Sequence, residues 1–314
     1  MTAINLPQAA EASKKVNVRP ALLKEIVKAR WAYLFVSPFF ILFVLFSLYP
    51  ILFSLYLSLN DWKGLGPMTF VGLGNYLKLL KDTLFWPSLV NGFIMFCLSV
   101  PIMTVAALVL AVILNSKRVR GFRVFRLILF LPYITNMAAA GFTFRLLLQT
   151  RDGFVNIVLN MFGIGSVPWL DSVSGARVSV ALLIIWAWLG YNMVLMLAGL
   201  QTIPNELNEA ARIDGAGQTR VFFYITIPLM RPMLTFSLVL STIGSFALFT
   251  EVYTMTQPAG SPLNSTLTPV IAIFNQAFTN FRYGYASAMA YVYFAFIFVL
   301  TLFQIRYVSR RDND

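Results

Sequence analysis

Six stretches of this chain contain no Asp, Glu, Lys or Arg: residues 31–60, 83–116, 127–144, 178–205, 232–250 and 283–305. Each is rich in Leu, Ile, Val, Phe and Ala, and a bilayer-crossing helix needs about 20 mostly apolar residues, so each stretch can hold one span. Of the 314 residues 59% are apolar or aromatic and 11% are charged, whereas an ordinary soluble domain carries about 25% charged residues. A water-soluble fold is excluded, because it needs a charged exterior. Two more uncharged stretches fail on composition: 153–170 contains Gly163, Gly165 and Pro168, and 252–281 contains Pro258, Gly260, Pro262, Asn264 and Pro269, a loop signature. The expected fold is an all-α integral membrane protein with six transmembrane helices, over about 34–57, 88–114, 127–149, 178–200, 232–255 and 284–305.

The charges set the direction. Lys and Arg total 24 against 12 Asp and Glu, a net charge of +12. A nucleic-acid binder would gather these on one soluble face, and here they sit in clusters between apolar runs. Six lie in the N-terminal tail (Lys14, Lys15, Arg19, Lys24, Lys28, Arg30) and five follow the second span (Lys117, Arg118, Arg120, Arg123, Arg126). With Arg212, Arg220 and Arg231 and the C-terminal Arg306, Arg310 and Arg311, 17 fall on one side and 7 on the other. Positive loops stay in the cytoplasm, so both termini are expected inside, as an even number of spans also requires. The first apolar run begins at Trp31 and is about twice the length of a signal's hydrophobic region, so no cleavable signal is expected. Within the tail 1–30, residues 21–30 read equally as a short amphipathic surface helix or a solvated leader. Residues 308–314 are expected to form a C-terminal cytoplasmic tail.

Absences narrow the chemistry. There is no His and one Cys, Cys97, which removes disulfides, Cys/His zinc sites and His-dependent triads. Arg145 and Glu251 lie near the outer ends of the third and fifth spans, where Arg145 can snorkel to headgroups. No ionisable residue sits at mid-membrane, as an ion-coupled carrier usually requires, nor an acid pair, as an intramembrane protease requires. The chain has no G-x-x-x-x-G-K-[ST], so a pump built on it takes its energy from another subunit.

Residues 201–232, QTIPNELNEAARIDGAGQTRVFFYITIPLMRP, are too long and too regular for a simple inside turn. Pro204 can start a helix, Glu206 and Glu209 suit its first turns, and Ala210, Ala211 and Ile213 continue it. Gly215 and Gly217 permit a sharp reversal. A second short segment, Thr219–Ile227, then leads to Pro228. The expectation is a helix–turn–helix on the membrane surface.

Glu209-Ala210-Ala211, Gly215 four residues beyond, then Ile225 and Pro228, resemble the EAA loop of binding-protein-dependent ABC importer permeases. The extended run from Ile203-Pro204 through Glu206-Leu207 to Asp214-Gly215-Ala216 is similar to the carbohydrate permeases, as are Phe70-Val71-Gly72-Leu73, Leu131-Pro132-Tyr133 and Leu197-Ala198-Gly199-Leu200-Gln201. Two departures are mild: Ile227 replaces Leu before Pro228, and Gly260-Ser261-Pro262 replaces Gly-Gly-Pro. The resemblance covers about residues 34–307 and implies the type I ABC importer permease fold. It also implies a bacterial-type cytoplasmic membrane, a second homologous permease, a dimer of ATPase subunits and an extracytoplasmic solute-binding protein. The substrate would be a sugar, oligosaccharide or related polyol. Catalysis and cofactor binding are not expected of this chain, since ATP and Mg would sit on the ATPase partners, which would dock on Glu206, Glu209, Ala210, Ala211, Asp214, Gly215, Ile225 and Pro228. A stand-alone secondary carrier or channel is the rival reading, and it leaves the EAA loop unexplained.

Depth along the spans suggests a path. At about 1.5 Å per residue, Tyr191 and Asn192 lie roughly 13 Å from the inner end of the fourth span, with Trp188 one turn earlier on the face of Asn192. Asn136, Ser241 and Ser245 fall at comparable levels, and Pro132 is expected to kink the third span. Amides facing lipid would be costly, so Asn136 and Asn192 are expected to point inward. With Trp188, Tyr191, Ser241, Ser245 and, further out, Glu251, they form the candidate substrate path.

Overall fold

A computed structural model describes residues 28–115 and 121–310. Lys117, Arg118, Arg120, nearly all of the tail 1–30 and the last four residues lie outside the described residues. Chain contacts divide the protein into two units between Ser54 and Leu55.

The first unit holds most of helix α1, Arg30–Ser58. Pro38 lies inside it, and Val44–Leu48 forms a π turn. Its serines spend their hydroxyls on the preceding turn, Ser37 on the Leu34 carbonyl and Ser54 on that of Ile51, both at 2.9 Å. That local bond satisfies a serine hydroxyl inside an apolar helix.

The second unit opens with a hairpin, β1 (Asn60–Asp61) antiparallel to β2 (Thr69–Phe70), and a short helix α2 (Gly74–Leu79). Helix α3 (Phe85–Asn115) and helix α7 (Val173–Gln201) make the most extensive helix contact. Buried Ser99, Ala107 and Ala111 on one, and Ala176, Ser179 and Ala187 on the other, let the two backbones approach. Asp82 starts α3, its carboxylate accepting the Leu84 and Phe85 N–H groups at 2.8 Å and the Tyr285 hydroxyl. Partial burial pushes this carboxyl up, but the Tyr285 hydroxyl, the two amides and the Lys78 ammonium outweigh it and hold it below its ordinary value.

The third apolar stretch is not one helix. Helix α4 (Phe122–Ile134) and helix α5 (Met137–Leu147) meet at 96°. The expected kink at Pro132 is displaced: Pro132 sits in a closing 3-10 turn, Leu131–Ile134, and the chain leaves the helix at Thr135 (ψ 145°) and Asn136 (ψ 117°). Asn136 then caps α5, its Oδ1 accepting the Ala138 and Ala139 amides at 2.9 and 3.1 Å.

Helices α6 (Phe154–Met161), α8 (Asn205–Ile213) and α9 (Gln218–Phe246) follow. The separate segment expected at Thr219–Ile227 is instead the first part of α9, running through a π turn at Phe222–Thr226. Pro228, which has no N–H to give, stands one residue beyond that turn, after Ile227. At the other end α9 stops at Phe246, and Thr250–Met255 forms a separate helix, α10. Helix α11 (Pro269–Phe274) is capped by Thr268, and helix α12 (Tyr283–Arg310) closes the chain. Among the described residues five continuous helices are long and apolar enough to cross a membrane, and the bent pair makes a sixth if it counts as one span.

Candidate translocation cavity and coupling surface

Helix α7 meets α4 at Gly190, where a Cβ would lie 1.8 Å from the Leu129 carbonyl oxygen. Only glycine allows this crossing, and it brings the closing turn of α4 beside the next residue of α7. The Tyr133 and Tyr191 rings stack at 4.7 Å with 20° between planes, and Trp188 meets both edge-on, at 5.3 and 6.0 Å. Ile184, Trp188 and Tyr191 follow the spacing of one helical face. Opposite them, α9 contributes Leu240, Ser241, Gly244 and Ser245, and α3 adds Val100 and Met103. With Ile243 and Leu248 they line a mostly apolar cavity of about 240 Å³ that includes three aromatic rings and two serines, the Ser241 hydroxyl donating to Asn192 Oδ1 and that of Ser245 to the Thr242 carbonyl. Gly244 faces open space, so this wall has no side chain there.

Trp188, Tyr191, Ser241 and Ser245 are thus brought together, while the remaining path candidates are not. Asn192 is 1% exposed and lies behind the wall. Its Oδ1 accepts the hydroxyls of Ser237 at 2.6 Å and Ser241 at 3.2 Å, and its Nδ2 donates to the Trp188 carbonyl at 3.1 Å. It points inward, as its polarity requires, to helix neighbours. Asn136 is exposed and occupied as a helix cap. Glu251 is 8% exposed on α10 and is not among the cavity residues. Tyr133 is a cavity-lining side chain that path reasoning missed. Its sequence signal is the Leu131-Pro132-Tyr133 stretch that resembles the carbohydrate permeases, since the bend that aims it is not written in periodicity.

The loop between α7 and α9 forms a helical hairpin. After α8, Gly215 adopts φ +81°, the Ala216 amide donates to the Ala211 carbonyl at 2.9 Å, and Gly217 begins α9. Ala211, Asp214, Arg220 and Ile225 line a depression of about 500 Å³ between the two helices. Glu206, Glu209 and Ala210 are exposed around it, and Pro228 is half-buried further along α9. Four large apolar side chains on the hairpin are left open: Leu207, Phe223 and, most of all, Ile213 at 86% and Tyr224 at 77% exposure. Apolar exposure on a polar hairpin marks a surface that meets a partner protein or the membrane.

A third constellation ties the first turns of α3 and α7 together. Arg177, just ahead of the charge-free stretch of α7, donates to the Asn91 side chain at 2.9 Å and the Ser265 carbonyl at 3.1 Å. Asn91 in turn donates to the Asn264 and Leu267 carbonyls at 2.7 and 3.1 Å. The loop before α11 is therefore pinned to both α3 and α7.

The hairpin and the membrane helices match a known family. Residues 84–312 match the family described as "Binding-protein-dependent transport system inner membrane component". The lactose transport system permease protein of Rhizobium radiobacter is 40% identical over 88% of this chain and 93% of its own length. The arabinooligosaccharides transport system permease protein of Halalkalibacterium halodurans is 36% identical, over 87% and 86%. Among solved structures, a chain of a bacterial alginate ABC transporter, in complex with an alginate pentasaccharide-bound periplasmic protein, superposes with a TM-score of 0.80 at 22% identity, covering 92% of this chain and 97% of that one. The chain belongs to the family of inner-membrane permease components of binding-protein-dependent ABC transport systems.

Proposed function

We propose that this permease imports a sugar or oligosaccharide across a bacterial cytoplasmic membrane, through the cavity between α3, α4, α7 and α9. The observation that carries the substrate class is the Tyr133–Trp188–Tyr191 cluster facing Ser241 and Ser245. A pyranose has an apolar face and a ring of hydroxyls, and a site for it needs aromatic surface with a few polar groups beside it. Relatives that transport lactose and arabinooligosaccharides support the reading. The complete importer would contain a second homologous permease, a pair of ATPase subunits holding ATP and Mg, and an extracytoplasmic binding protein that delivers the sugar. With six spans and both termini in the cytoplasm, the α8–α9 hairpin would lie on the ATPase side.

The experiment is uptake by the reconstituted importer. Tyr191→Ala and Trp188→Ala each remove one ring from the cavity, and loss of a ring contact of about 1–1.5 kcal/mol corresponds to roughly a tenfold fall in transport. ATPase association, read by co-purification, should be unchanged. Uptake at the wild-type rate in the double variant would move the path away from α7.

A further inference from the structure

Outside the cavity just described, a second depression opens where α5 and α10 pack. Its shape follows from one missing side chain. Gly141 lies where α5 presses on α10: a Cβ there would be 2.0 Å from the Thr254 hydroxyl oxygen and 3.4 Å from the Glu251 carbonyl oxygen. Arg145 follows Gly141 by four residues, on the same helical face, and so overhangs the end of α10. Below it lie Tyr253, Gln257, Pro258, Ala259 and Asn275, and the six residues bound a space of about 650 Å³.

The chemistry of this space differs from that of the inner cavity. The Arg145 guanidinium makes no ion pair or hydrogen bond among the described residues, and neither does the side-chain amide of Gln257 or Asn275. The Tyr253 ring is held from behind, stacked on Phe249 at 5.1 Å and edge-on to Phe274 at 6.0 Å, which fixes it as a platform. A cation, two amides and one braced ring converge with their hydrogen-bonding capacity unspent. Glu251, two residues before Tyr253 on α10, is 8% exposed and is not among the six residues that bound the space. Guanidinium forks bind carboxylates in paired hydrogen bonds.

We infer that the Arg145 depression is a separate outer site for an acidic carbohydrate, with Arg145 taking the carboxylate, Gln257 and Asn275 the hydroxyls, and Tyr253 the sugar face. This rests on the carbohydrate reading of the inner cavity but uses none of its residues. The test is equilibrium binding to the complete importer, without its binding protein, in phosphatidylcholine nanodiscs. The probes are trigalacturonate and the uncharged galactotriose. Wild type should bind the acid about tenfold more tightly than the neutral sugar, the worth of one good charge-assisted pair. That preference should shrink as salt rises from about 0.05 to about 0.5 M.

Arg145→Gln should abolish the preference and leave galactotriose affinity unchanged, while Arg145→Lys should retain part of it. Assembly of each variant is checked by gel filtration. Equal affinities in wild type, or a preference that survives Arg145→Gln, would overturn the site. So would absence of trigalacturonate binding in the phosphatidylcholine discs. Tyr191→Ala separates this inference from the one before it. Loss of uptake with the acid preference intact supports both sites, and loss of uptake beside a preference that Arg145→Gln does not alter leaves only the inner cavity.

Discussion

The Asn192 side chain accepts two serine hydroxyls and donates to a backbone carbonyl, all within the apolar packing of α3, α7 and α9. Interhelical hydrogen bonds inside membranes average about 0.6 kcal/mol, so Asn192→Ala should cost roughly 1 kcal/mol through two such bonds. The serines can turn back to their own helix, which limits the loss. The expected outcome is a lower melting temperature of the purified complex, with uptake reduced less than by Tyr191→Ala. Full stability combined with uptake as poor as that of Tyr191→Ala would place the amide on the path instead. Helical spacing alone groups Trp188 with Asn192, four residues on, whereas the cavity uses Trp188 with Tyr191, three residues on. Both pairs satisfy the geometry of a helix, and only the position of α4 against Gly190 decides between them.

The elements differ in how plainly the sequence announces them. Helices α3, α7 and α12 cover charge-free stretches where length and apolar composition leave no competing form. The α4–α5 break was hidden, because both arms are apolar and the visible Pro132 lies before the turn that matters. The start of α9 was hidden for the opposite reason: Arg220 and Arg231 interrupt the apolar run without interrupting the helix. The hairpin between α8 and α9 was legible because glycine carries direct backbone meaning. Gly215 has φ +81° and no atom within 4 Å of a hypothetical Cβ, so a substitution there is strained by backbone and not by crowding. A side chain at such a position costs about 1–3 kcal/mol, and Pro, which requires φ near −65°, cannot adopt it at all. Gly215→Pro should therefore reshape the hairpin while leaving the membrane helices inserted, and Glu209→Lys should reverse the charge of its exposed face. Each should lower uptake about tenfold or more while the ATPase subunits keep hydrolysing ATP. Wild-type uptake in both would dissociate the hairpin from the ATPase.

For the molecule as a whole, the division of basic residues, 17 against 7, leads to a topology that labelling can check. With Cys97 removed, single cysteines at Ser13 and Asn313 should react only from the cytoplasmic side and one at Ser261 only from outside. Reaction of Asn313 from outside would break the six-span arrangement. In that arrangement α9 has two employments. Its first turns form one arm of the hairpin, and Ser241 and Ser245, near its other end, form a wall of the cavity. The helix runs unbroken from Gln218 to Phe246, about 40 Å at 1.5 Å per residue. A rod of that length is a lever: tilting it by about 5° at the hairpin displaces the far end by roughly 3–4 Å. That displacement approaches the width of a sugar ring's edge, and the place it moves includes Gly244, where the wall has no side chain to obstruct passage. Spin labels on Thr219 and Ile243 should therefore keep a constant separation through the ATP cycle, while the distance from Ile243 to a label on α3 changes.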